Sequence, residues 1–92
     1  MANRERLIKT LMDLIRIDSP TGEEDEMDRE VTSRLQALGF VVHHDSFNNV
    51  IARLDGIGEP VVLSAHLDTV EPGRGIKPVL HGDTLRSDGS TI

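Results

Sequence analysis

The chain has no cysteine, no tryptophan and no tyrosine, only two phenylalanines and four prolines among 92 residues. Without cysteine there are no disulfides, iron–sulfur clusters or thiolate zinc sites, so any transition metal must be held by histidine and carboxylate. Without tryptophan or tyrosine there is no aromatic platform on which bases or sugars could stack. Long apolar runs are also missing. The longest aliphatic stretch, Val61-Val62-Leu63, is far too short to span a membrane, and no apolar segment follows Met1-Ala2-Asn3-Arg4-Glu5-Arg6 as a signal peptide would require. A soluble, cytoplasmic protein is the expectation. Positive charge is sparse as well: ten bases, eight of them scattered arginines, stand against sixteen acids for a net charge of -6. With no basic cluster to follow a phosphate backbone, nucleic acid is excluded as an expected partner.

What is present argues for a folded chain. Leu, Ile, Val and Phe number 27, too many for a disordered sequence. Domains commonly run to about 100–150 residues, so residues 1–92 are expected to form one domain at most.

Leu7, Ile8, Leu11, Leu14 and Ile15 recur at helical spacing and predict an amphipathic helix over 4–17, with Asn3 as its N-cap. Asp18-Ser19-Pro20 should end it. Thr21-Gly22-Glu23-Glu24 then reads as a capping box, with Thr21 as N-cap of a second helix whose apolar face is Met27, Val31, Leu35 and Leu38 and whose end is Gly39. The acids at 23–26, 28 and 30 crowd the positive end of that helix dipole and read as a solvated face.

Residues 40–44 and 50–54 read as two strands of a hairpin turning at 45–49. Val61-Val62-Leu63-Ser64-Ala65 shows almost no alternation, the pattern of a strand covered on both faces, and is expected at the centre of a mixed sheet. Val79-Leu80 and Thr84-Leu85-Arg86 flank a turn at His81-Gly82-Asp83. Two helices followed by strands imply an α/β layered domain. Two helices of this length can hardly cover both faces of such a sheet, so the expected sheet lacks part of its packing.

Ser64-Ala65-His66-Leu67-Asp68-Thr69-Val70 lies at the carboxyl end of the expected central strand, where open α/β sheets place their ligands. In extended backbone His66 and Asp68 leave the same face. A carboxylate beside an imidazole is a common device for fixing the tautomer of a metal ligand. One histidine and one aspartate are nevertheless short of the three protein ligands a zinc site needs, and from spacing alone a hydrogen-bonded structural histidine is the better account. His43-His44 point to opposite faces of a strand and cannot chelate one ion side by side. His81 reads as a solvent-facing turn residue. Gly73-Arg74-Gly75 is no phosphate loop, because no Gly-Lys-Ser/Thr follows it. Arg74 and Lys77 read as solvated loop charges, with an acidic substrate end as the other reading.

Beyond spacing, four stretches in order resemble the amino-terminal part of the zinc-dependent exopeptidases of the aminoacylase and peptidase T family, closest to the peptidase T-like, tripeptide aminopeptidase-like branch. They are Ile17-Asp18-Ser19-Pro20-Thr21-Gly22-Glu23-Glu24; Asn49-Val50-Ile51-Ala52; the run from Leu63 through Ser64-Ala65-His66-Leu67-Asp68-Thr69-Val70 to Pro78; and Arg86-Ser87-Asp88-Gly89-Ser90-Thr91-Ile92. The resemblance implies that His66 is the first histidine ligand of one of two catalytic zinc ions and that Asp68 is the catalytic-site aspartate that orients it. It also implies that residues 87–92 approach a metal-bridging aspartate expected just past Ile92. The bridging carboxylate, the glutamate base, the other ligands and the lid and dimerisation domain would then belong to later sequence. On that basis 1–92 is a partial catalytic domain of a peptidase that hydrolyses short peptides by a metal-activated water, inactive alone.

Two other readings stand beside this one. A non-catalytic protein could use the uncovered sheet and helix faces to bind another chain or to self-associate. A small mononuclear metal module could combine His66, Asp68 and another histidine.

Overall fold

Asn3 opens the first helix: its side-chain oxygen accepts the Arg6 backbone N–H at 3.0 Å, and α1 runs over Arg4–Ile15. The expected cap is therefore present, and the helix ends two residues before Ile17. This computed structural model describes residues 3–92; Met1 and Ala2, which belong to the expected 1–92 span, lie outside the described residues.

The second helix, α2, covers Asp25–Ala37 and starts later than the capping-box pattern predicts. Thr21 is not its N-cap, because its hydroxyl is engaged by a residue 47 positions away, and Glu24 instead accepts the backbone N–H of Gly22 at 2.7 Å. The carboxyl end follows expectation. Gly39 has φ 93°, its N–H bonds the Gln36 carbonyl at 3.0 Å, and the Phe40 N–H bonds the Leu35 carbonyl at 3.0 Å. Those two bonds satisfy carbonyls that the helix end would otherwise leave open, in the Schellman arrangement.

Two hairpins follow. In the first, β1 (Val41–His44) pairs antiparallel with β2 (Val50–Arg53), His44 opposite Val50. Its turn is built around the Asp45 carboxylate, which accepts the backbone N–H groups of Phe47 and Asn49, each at 2.9 Å, and the Asn49 side-chain amide at 2.8 Å. In the second, β3 (Pro78–His81) pairs with β4 (Thr84–Ser87) around Gly82 and Asp83, with Gly82 at φ 62°. His81 is thus the last residue of a strand, paired with Thr84, and not a turn residue; it is exposed as expected.

The α/β class and the two hairpins agree with the sequence, but the mixed sheet with a buried central strand does not form. Each hairpin is its own two-stranded sheet. Residues 61–65 carry no strand, and Val61, Val62 and Leu63 are 86%, 85% and 94% exposed. A strand exists only where a neighbour takes its ladder groups, and among the described residues none pairs with this run.

The residues divide into two compact units: those up to Met27 together with Leu67–Ile92, and Asp28–His66. Helix α2 passes from the first into the second. Among the described residues Met27 is the one buried member of the hydrophobic core, while Ser19, a polar residue, has no exposed surface at all.

Candidate functional site

Ser19 marks where the first unit is tightest. Its hydroxyl donates to the Leu67 carbonyl at 2.8 Å, and its own carbonyl accepts the Thr69 N–H at 2.8 Å. The Thr21 N–H returns to the Thr69 carbonyl at 3.2 Å, and Pro20 and Thr69 form a parallel bridge. Pro20 has no N–H to offer, so the flanking residues supply the donors. Buried Gly73 completes this clasp. A Cβ there would meet Thr69 Oγ1 and the Val70 carbonyl oxygen, each at 2.5 Å, so only glycine fits.

Charged groups extend the same contact outward. The Asp18 carboxylate accepts the Gly75 N–H at 2.7 Å. Arg74 pairs with Glu23 and, at 3.4 Å, with Glu71. The hydrogen bond from Arg74 and its positive charge hold the Glu23 carboxyl below the usual range, and Glu23 raises Arg74 in return. Arg74 is therefore committed to two carboxylates of its own unit, and the reading as a simply solvated charge gives way to a paired one.

Asp68 sits inside the clasp, half-buried, between Leu67 and Thr69. The Thr21 hydroxyl donates to its Oδ2 at 2.6 Å. That distance is in the range of a charge-assisted O–H···O⁻ bond. His66 is the last residue of the other unit, and it is exposed.

The remaining histidines are dispersed. His43 and His44 are exposed on β1, and His44 Nε2 lies 2.8 Å from Asp28 Oδ1 on α2, a pairing no sequence pattern indicated. His81 borders a shallow depression with Thr84 and Arg86. In the last stretch Asp88 accepts from the Ser90 N–H at 2.9 Å and from the Ser90 hydroxyl at 2.5 Å, which lowers its carboxyl. Hydrogen bonds from the Asn49 side chain and backbone lower Asp45 likewise.

Among the described residues no group of three or more His, Asp or Glu side chains is gathered to hold a metal ion. His66 and Asp68 have the right donor chemistry for part of a zinc site, but on their own they do not complete a coordination shell. The three-residue metal module weighed from the sequence has no counterpart here. No helix of the described residues is long and apolar enough to cross a membrane.

The comparison with known proteins runs along the whole chain. No protein-family model matches it. A Pyrococcus abyssi protein provisionally named a LysW-lysine/LysW-ornithine hydrolase is 36% identical over 88 residues, covering 95% of this chain and 25% of that protein. The crystal structure of aminopeptidase PepT from Bacillus cereus superposes with a TM-score of 0.86 at 35% identity, over 98% of this chain and 27% of that one. A tripeptidase from Staphylococcus aureus superposes at 0.89 with 33% identity, over 100% of this chain and 28% of that one.

Fold and sequence together define the class: an α/β segment similar over nearly its whole length to part of an aminopeptidase and of a tripeptidase. Within that class the chain is peptidase T-like, as its motifs imply, and it spans about a quarter of the length of the relatives it matches.

Proposed function

We propose that the chain is part of the catalytic domain of a metal-dependent, cytoplasmic peptidase that hydrolyses short peptides by a metal-activated water. The observation that carries this is the match over 98–100% of the chain to an aminopeptidase and a tripeptidase at 33–35% identity. On this reading His66 supplies one imidazole to a zinc ion and Asp68 orients that imidazole. A zinc ion so held supplies Lewis acidity toward the peptide carbonyl and a water of lowered pKa. Because a lone imidazole cannot hold zinc against water, the 92 residues alone are inactive, and the remaining ligands, the glutamate base and the lid domain are contributed outside them.

A hybrid tests the reading. When this chain replaces the matching stretch of the Staphylococcus aureus tripeptidase, tripeptide hydrolysis is expected to persist and to be abolished by His66→Ala. A folded, metal-loaded hybrid whose turnover ignores His66→Ala overturns the assignment. The isolated chain, given zinc or cobalt, is expected to cleave nothing; turnover that depends on His66 would overturn its inactivity.

A second reading has its own support. Ile57 is 108% exposed and Val61, Val62 and Leu63 lie close behind, an apolar stretch suited to binding another chain or a second copy. Sedimentation across the micromolar range decides it: a monodisperse monomer removes the self-associating form.

A further inference from the structure

The two faces of the β3–β4 hairpin differ in character. Its two-residue loop fixes the register, so His81 lies directly opposite Thr84 and Val79 directly opposite Arg86. Directly opposed residues, and residues two apart on one strand, leave the same face of the ribbon. Val79, His81, Thr84 and Arg86 therefore share one face, and all four are exposed. The other face carries Pro78, Leu80, Leu85 and Ser87, of which Leu80 alone is exposed.

On the exposed face His81, Thr84 and Arg86 line a depression of about 240 Å³. Each brings a donor: the Thr84 hydroxyl, an N–H that one His81 ring nitrogen carries in either tautomer, and the Arg86 guanidinium, whose fork matches a carboxylate or a phosphate. No carboxylate joins that lining, although the chain has sixteen acids against ten bases. The three side chains make no hydrogen bond or ion pair among the described residues, whereas Arg4, Arg16, Arg34, Arg53 and Arg74 each pair with a carboxylate. The acids flanking β4 in sequence are engaged elsewhere. Asp83 Oδ1 accepts Arg4 Nη2 at 2.8 Å, the same nitrogen reaches the Gly82 carbonyl at 3.3 Å, and Asp88 accepts from the Ser90 N–H and hydroxyl. Size narrows the ligand further: ordinary ligand pockets hold about 300–1,000 Å³, so this depression suits a small charged group and not a whole cofactor.

We propose that His81, Thr84 and Arg86 form an oxyanion-binding site that takes a phosphate or carboxylate group, with Arg86 as the charged anchor and Thr84 and His81 as flanking donors. An anion there gives the unpaired guanidinium the counter-charge that the chain itself does not supply. The site lies wholly on the hairpin and uses neither His66 nor Asp68. It goes beyond the peptidase reading and stands or falls apart from it.

The test titrates the full 92-residue chain, isotope-labelled, with inorganic phosphate and separately with acetate, at one fixed pH and with chloride holding the ionic strength constant, because exposed charges are screened by salt. The amide signals of residues 81–86 and the side-chain N–H signal of Arg86 are followed. The expected result is saturable shifts confined to the hairpin, with affinity falling about tenfold in Arg86→Gln and about threefold in Thr84→Val. Arg6→Gln removes another exposed arginine, on α1, and is expected to change nothing. Saturation by phosphate alone identifies a phosphorylated ligand, and saturation by acetate a carboxylate one; saturation by neither overturns the proposal. A loss in Arg6→Gln equal to that in Arg86→Gln overturns it as well, since the anion would then be answering net charge and not a site. The amide spectrum of β3 and β4 shows whether each variant keeps the hairpin. If Arg86→Gln loses it, Thr84→Val carries the test, and undiminished affinity in a folded Thr84→Val overturns the proposal. The peptidase reading answers to the His66→Ala hybrid, which can fail while phosphate still binds here.

Discussion

Two stretches of the chain meet water in opposite ways. Residues 19–21 and 67–69 are mostly polar and include Ser19, which is wholly buried; residues 57–63 are mostly apolar and almost wholly exposed. The difference is one of partners. The Ser19 hydroxyl and carbonyl, the Thr21 hydroxyl and N–H, and the Thr69 N–H and carbonyl all find partners within their own unit, so the desolvation of these groups is compensated bond by bond. The second stretch carries Ile57, Val61, Val62 and Leu63 with no ladder and no apolar cover among the described residues. Hydrophobicity supplies a drive toward burial but no location for it, whereas hydrogen bonds specify a partner.

The sharpest way to break the first stretch is to crowd it at Gly73. Gly73→Ala places a methyl group against Thr69 Oγ1 and against a backbone oxygen that cannot swing aside. A loss of about 3 kcal/mol, the upper part of the overpacking range, is expected from urea unfolding. Next comes Ser19→Ala, which removes the buried hydroxyl from the Leu67 carbonyl. It should cost about 1–2 kcal/mol and speed amide exchange at Thr69. A mutation in the exposed run sharpens the contrast from the other side. Val62→Lys, at a position 85% exposed, should shift stability by no more than about 0.5 kcal/mol while reducing any self-association seen by sedimentation.

The smallest effect is on the acid side. Arg74 holds the folded-state carboxyl of Glu23 below its ordinary value, so the stability this pair contributes is present above the ordinary glutamate range and is lost as pH falls through the lowered value. Glu23→Gln should therefore leave a chain whose urea midpoint falls less on acidification than the parent's. Equal falls would show that the pair contributes nothing, as is common for exposed ion pairs.

Local patterns were legible in the sequence and distant partners were not. Asn3, Gly39 and both hairpins were readable because each depends on residues within a few positions: a cap on the third residue, a left-handed glycine, alternation about a turn. Thr21 was misread because Thr-x-x-Glu satisfies the capping pattern, and nothing local reveals an acceptor 47 residues on. His44 with Asp28, and Ser19 with Leu67, were invisible for the same reason. Residues 61–65 were read as a buried strand from their composition, which records what the segment can bury and not whether a neighbour is there to pair with it. Of the candidate site, His66 and Asp68 were picked out by their motif, while the group that holds Asp68 became visible only in the structure.

The bond from Thr21 to Asp68 also closes a ring of chain, with α2, the first hairpin and the exposed run all inside it. Loop-closure entropy rises only logarithmically with length, so doubling the enclosed chain adds about 0.6 kcal/mol to the cost of closing it. Insertions between β2 and residue 61 should thus be nearly neutral for the clasp. The span between its two halves is free to vary in length over evolutionary time while Asp68 stays where it is.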